Sequence, residues 1–184
     1  MAEMQAYQAK NDFQHLRLFA ERILELDPND LPTLITLSTA LPERTEDTDL
    51  DRDQKRNAAE TYAKRALEQI EKIDRPAGMD AAQWTERTND ARSQAHYALG
   101  LVALQRKNHP QALEEMKLAA QLQSPSQPDP ILYWRLGLAN WLNKKHDDAL
   151  RAFDKSVSLG GVKLGGKDQA AEDRDRLKKE MEKK

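Results

Sequence analysis

Three groups of residues carry types and spacings that could do chemistry. Asp47-Thr48-Asp49-Leu50-Asp51-Arg52-Asp53 alternates carboxylates as the opening of a calcium loop does. Such a loop needs Gly at its sixth place for a sharp turn and Glu at its twelfth for a bidentate grip. Those places hold Arg52 and Ala58. The stretch reads instead as a helix start, with Thr48 and Asp51 spaced as in a capping box and the acids favouring the positive end of the helix that follows. Gly161-x-x-x-x-Gly166-Lys167 has the spacing of a phosphate-cradling loop. The next residue must be Ser or Thr to hold magnesium, and it is Asp168; a strand should precede the loop, and the preceding segment reads as helix. The four histidines, His15, His96, His109 and His146, include no pair at i, i+4 on one helix, so no zinc motif is spelled. No G-x-S-x-G occurs, and serines are sparse and mostly in loops, so no nucleophile elbow is expected. The sequence therefore offers no catalytic set, no metal site and no cofactor site, and it does not read as an enzyme.

Bulk properties narrow the class. A length of 184 residues suits one domain or one continuous repeat array. One third of the residues are charged (33%) and only 5% aromatic, with seven glycines, which fits a helical protein with solvated outer faces. A net charge of -2 gives no general attraction to nucleic acid or to an anionic membrane. Cysteine is absent, so no disulfide framework or thiolate site exists. No apolar run approaches the ~20 residues of a membrane helix, which argues against membrane insertion. Met1-Ala2-Glu3-Met4-Gln5 lacks the basic start and apolar core of a signal peptide.

The elements that would position any site come from one pattern written twice. Tyr133-x-x-Leu136-Gly137 is followed by Ala149-x-x-x-Phe153, and His96-x-x-Leu99-Gly100 by Ala112-x-x-x-Met116. In each copy the Ala lies twelve residues after the Gly. Glycine inside a helix costs roughly 1 kcal/mol relative to Ala, so it needs a packing reason. Close approach of a second helix supplies one, with Ala112 or Ala149 expected as the small partner. This pattern resembles the tetratricopeptide repeat, a helix-turn-helix unit of about 34 residues. The resemblance implies an all-α fold, a right-handed superhelical array of helical hairpins without sheet, ended by a C-terminal capping helix.

Along the chain, the resemblance places the array over 1–166, with a partial repeat over 1–30, repeats over about 31–75, 80–124 and 130–161, and a capping helix or tail over 167–184. Gly100 and Gly137 are 37 residues apart, and the surplus falls in Ser124-Pro125-Ser126-Gln127-Pro128-Asp129-Pro130, which cannot be helix interior. In the looser copy Leu34-x-x-Leu37-Ser38, Ser38 takes the glycine place, Ala59, Ala63 and Ala66 the small-residue places, and an acidic insert runs from about Pro42 to Asp51. Trp84, Thr88, Ala91, Ala95, Ala98 and Val102 predict one long helix from Asp80 to Lys107, packed against another from Arg52 to Ile73. In the partial copy Leu16, Ala20, Ile23 and Leu24 match a second helix, and Tyr7 the end of a first helix that begins before Met1. The sequence thus reads as starting inside a repeat. A targeting segment would lie outside it, and cytoplasm and periplasm both stay open. Gly160-Gly161 is a helix stop. Beyond it, Glu172/Arg176, Asp175/Lys179 and Glu180/Lys184 have the i, i+4 spacing that supports a helix.

In the family the first helix of each hairpin lines a concave groove. That implies a binding surface over Tyr97, Leu101, Leu104, Ile131, Trp134, Arg135, Leu138 and Trp141, with pure packing of the same side chains as the alternative. Some members hold a partner's terminal carboxylate with Lys, Asn and Arg; only Arg135 is basic here, so that clamp is not expected. The function implied is a protein-protein interaction scaffold that binds a peptide or helix. The alternative is a structural or self-associating module, a homo-oligomer without a peptide ligand. No nucleic-acid partner is expected.

Overall fold

The protein is described by a computed structural model over Tyr7 and residues 12–183. The expected helix start before Met1 and the Glu180/Lys184 pair lie outside the described residues. Eight helices follow one another among them: α1 (Phe13–Leu26), α2 (Leu31–Glu43), α3 (Arg52–Ile70), α4 (Ala81–Gln105), α5 (His109–Leu122), α6 (Pro130–Leu142), α7 (His146–Ser158) and α8 (Gln169–Met181). The class is all-α. Each helix packs on its chain neighbours; the closest pairs are α2 with α3, α4 with α5 and α6 with α7, and α2 also reaches α4. No helix among the described residues is long and apolar enough to cross a membrane. Contrary to the expectation of no sheet, β1 (Lys163–Leu164) and β2 (Lys167–Asp168) pair antiparallel across the Gly165-Gly166 turn.

Short polar residues start most of these helices. Asp12, Asp30, Asp80, Asn108, Asp129 and Asp168 each accept a backbone N–H of the first turn. Each such cap contributes about 1 kcal/mol. The capping box expected at Thr48 and Asp51 does not form, because Asp51 caps no N–H. Instead Lys55 reaches Asp49 at 2.8 Å and Asp51 at 2.9 Å, while the buried Arg56 reaches Asp47 at 2.7 Å. The acids that resembled a calcium loop are bound to the protein's own cations. The insert is also shorter at its start than expected, since α2 continues through Pro42 to Glu43.

The two tight hairpin turns are built alike. Lys107 and Lys144 adopt left-handed backbone, φ 59° and 61°. Asn108 N–H reaches Ala103 O, and Lys145 N–H reaches Asn140 O, closing α4 and α6 with the same pair of crossed bonds. His109 and His146 then open the following helices, as Phe13 opens α1.

Close approach inside the hairpins holds, with a different partner from the one expected. A β-carbon on Gly100 would stand 2.8 Å from Met116 Cε, and one on Gly137 would overlap the Phe153 ring. Ala112 and Ala149 are fully buried, yet the glycines make room for the large side chains one turn further on. The helix offers a hole and the partner fills it with a knob, which is how interiors reach crystal-like density.

The C-terminal unit hangs on one carboxylate. Asp168 Oδ1 accepts from the N–H groups of Val162, Ala170 and Ala171, and Lys163 Nζ lies 3.0 Å from Oδ2. A β-carbon on Gly161 would fall on this carboxylate. The glycine-rich loop does cradle an anion, and the anion is the side chain of Asp168. Burial raises its pKa, but Lys163 and the N–H groups of Val162 and Ala171 outweigh that and hold it below its ordinary value. Of the i, i+4 pairs expected on α8, neither described one forms: Glu172 pairs with Lys167, Arg176 with Asp173 and Asp175 with Arg174.

Two measurements check this packing. Gly137→Ala gains helix propensity of about 1 kcal/mol but drives a methyl into a ring, so a net loss of roughly 1–2 kcal/mol is expected by urea melts. Gly100→Ala should be close to neutral, because the flexible end of Met116 can yield. Asp168→Ala should cost about 1 kcal/mol at neutral pH through loss of the cap. Because folding lowers the Asp168 pKa, the contribution of its charge is full above the ordinary value of 3.8 and drains away as pH falls through the lowered folded value. The stability gap between the parent protein and the variant should therefore narrow in strong acid.

Candidate functional site: a cleft between α4, α6 and α8

Helix α6 holds five of the eight residues expected to line a groove, and the structure divides all eight by depth. Tyr97, Leu101 and Trp134 are buried at 9%, 4% and 8% exposure. Leu104, Arg135, Leu138 and Trp141 are half-buried, and Ile131 is exposed. For the first three the open-groove expectation gives way to packing. Tyr97 and Leu101 join a core with Leu113, Met116 and Leu132. The Tyr97 hydroxyl donates to Glu43 at 3.2 Å, and burial together with that carboxylate pushes the phenol pKa up, keeping it a neutral donor. Trp134 belongs to a core with Phe153, Val162, Ala170 and Leu177, beneath α8. Leu136, on the repeat pattern's own stripe, is half-buried.

What buries Trp134 is a two-point register between α6 and α8. Trp134 Nε1–H donates to Asp173 Oδ2 at 2.9 Å, and Trp141 Nε1–H donates to Glu180 Oε2 at 3.0 Å. Both bonds span 39 residues, so the two helices run parallel and in step. The signal was present in the sequence: two tryptophans and two acids, each pair seven residues apart. Seven residues is two helical turns, which puts both members on one face. Trp141 also meets Phe153 edge-on, ring centres 6.2 Å apart at 87°.

The same register leaves a cleft of about 680 Å³ between α6, α8 and the end of α4. Leu104, Leu138, Trp141 and Leu142 supply its apolar surface, and Leu142 is 48% exposed. Arg135, Lys144, His146 and Arg176 also line it. Its two carboxylates are engaged: each accepts an indole N–H, and Asp173 is also 3.4 Å from Arg176. Arg135 lies over the Trp134 ring, 4.3 Å from its centre, and its Nε is buried without a hydrogen-bond partner. Four of the expected residues thus meet in one place, joined by α8 residues that sequence reasoning left out. Further hollows lie elsewhere, two of them beside residues already named. A polar one of about 290 Å³ sits by Glu43 and Tyr97, and an apolar one of about 610 Å³ by Ile35, Ile73 and Trp84.

No other expected chemistry assembles. His96 Nδ1 lies 2.8 Å from Glu115, bridging α4 to α5, and His15 lies 2.7 Å from Asp12. Among the described residues no group of three or more acids and histidines is placed to hold a metal ion. A comparison with protein-family models finds no match, and none of the curated proteins compared matches the chain.

The indole–carboxylate bonds set the prediction here. Trp134→Ala should cost about 3–5 kcal/mol, as truncation of a core aromatic does. Trp134→Phe keeps most of the volume and strands one Asp173 oxygen, at about 1–3 kcal/mol. Thermal melts should show a drop of roughly 2–4 °C per kcal/mol in a chain of this size. Trp141→Phe, at the edge of the cleft, should cost less than Trp134→Phe. Equal losses would mean that the two bonds do not differ in depth as described.

Proposed function

We propose that the helical hairpins form a right-handed tetratricopeptide-like superhelical array, and that the protein is a protein-protein interaction scaffold. In this reading a peptide or helix of a partner protein lies in the cleft between α4, α6 and α8, on the concave side of the array. The observation that carries the reading is the exposure of Leu142 and the half-exposure of Leu138 and Trp141 beside unspent cations. An apolar surface rimmed by polar groups, held on rigid helices, is what a binding groove requires. Binding rather than catalysis is proposed, because the cleft's acids already accept indole N–H bonds and no nucleophile stands beside a base.

Affinity capture with a matched set of baits tests this. Leu142→Glu places a charge in the cleft, while Leu26→Glu does so at a residue 78% exposed on α1, away from it. A partner kept by the parent bait and by Leu26→Glu should be lost with Leu142→Glu. Titration of the purified partner should show at least a tenfold weakening, about 1.4 kcal/mol. Partners captured equally by all three baits would remove the cleft from the account. A concentration-dependent dimer that Leu142→Glu dissociates would show instead that the cleft holds a second copy of this chain.

A further inference from the structure

Resting on that reading, we infer that the cleft selects an internal partner segment in which two acidic side chains flank apolar ones, the first carboxylate bound by Arg135 and the second by Lys144. Three observations lead there. Arg135 makes no ion pair within 4 Å among the described residues, though its charge favours the ionised form of Glu43, and its Nε is buried without a hydrogen bond. Burying a polar group unpaired is costly; Thr33, Gln123 and Asn140 also bury one such atom each, and Arg135 alone of the four carries a charge and lines the cleft. The guanidinium also lies over the Trp134 ring at 4.3 Å, which holds its plane and leaves the forked donor edge for a carboxylate.

The charge of the cleft points the same way. Its acids, Asp173 and Glu180, are spent on the two indoles, and Arg176 is spent on Asp173. Arg135 and Lys144 remain, with Leu138, Trp141 and Leu142 between them. The two carboxylates keep their charge while accepting indole N–H groups, yet three cations, Arg135, Lys144 and Arg176, line the cleft against them, so the balance there is positive and favours an anionic partner.

Spacing decides between one carboxylate and two. Arg135 lies seven residues before the end of α6 at Leu142, about 10 Å along the helix at 1.5 Å per residue, and Lys144 lies in the turn just beyond that end. No single group, a chain terminus included, reaches both. An extended segment advances about 3.3 Å per residue, so acids four positions apart reach from Arg135 past the helix end to the turn. The intervening side chains then cover Leu138 and Trp141.

A phage library of random dodecapeptides, displayed as internal segments, tests the inference, with a second library displayed on free C-termini. Peptides whose binding Leu142→Glu abolishes define the cleft. These should carry Asp or Glu about four residues apart around Leu, Ile, Phe or Trp. As amidated synthetic peptides they should lose at least tenfold in affinity when the first acid becomes Gln, and equally when Arg135 becomes Met. The two changes together should cost no more than either alone. Lys144→Ala should act in the same way on the second acid. Cleft binders that are neutral or basic, or that come only from free C-termini, overturn the inference and leave the groove reading standing. Acidic binders indifferent to Arg135→Met overturn it too. If neither library yields a cleft binder, both readings fall. Should Arg135→Met fail to fold, the Glu→Gln comparison on the parent protein decides alone.

Discussion

The cleft exists because α8 is locked to α6 in step. Two indole N–H groups on α6, two turns apart, meet two carboxylates on α8 with the same separation. A single bond would fix contact without fixing register. Two at equal spacing fix both, and they forbid an antiparallel docking. Hydrogen bonds to a charged acceptor are worth about 1.5–3 kcal/mol, enough to choose one register over a slipped one. The apolar seam of Ala170 and Leu177 against Trp134 and Phe153 then closes over the bonds and shields them. The Asp168 cradle does the matching work at the start of α8, by fixing where the helix begins.

The repeats were legible because their constraint is local and periodic. A glycine inside a helix, an alanine twelve residues later and a large residue four further on define a hairpin without long-range information. The long α4 and the breaks at Gly160-Gly161 followed from periodicity and backbone chemistry alone. The identity of the knob did not. Sequence reasoning paired the glycine with the alanine, the smallest candidate, whereas the space is filled by Met116 and Phe153. In the looser hairpin the equivalent places hold Ser38 and Ala63, both fully buried, so that contact is made by two small residues. Which side chain fills the space depends on both helices, which a reading of one side cannot supply.

The site was less legible than the fold. Stripe spacing located α6 and four residues of the cleft, but it could not say which face α8 would cover. Trp134 and Trp141 look alike on a helical wheel; one sits in a core and the other at a cleft edge because α8 crosses them at different depths. The acids Glu172, Asp175 and Glu180 of α8 were expected to support their own helix at i, i+4, and Asp173 carried no expectation. Asp173 and Glu180 turn inward to the indoles, a choice between local and distant partners that depends on tertiary geometry.

Unpaired charge separates a binding surface from mere packing here. Elsewhere the chain matches its cations carefully: Arg56 with Asp47, Arg92 with Glu71, Arg106 with Glu60, Arg174 with Asp154. Left-handed strain at Lys144 is no clue by itself, since Lys107 carries the same strain in the equivalent turn. An exposed lysine without a partner is equally ordinary. Arg135 differs from both. Its guanidinium lies over the Trp134 ring and its Nε is buried without an acceptor. Among the described residues four buried side-chain atoms lack a partner, in Thr33, Gln123, Arg135 and Asn140, and only the one in Arg135 belongs to a charged group and lines this cleft; unsatisfied groups of that kind cluster where a ligand completes the structure.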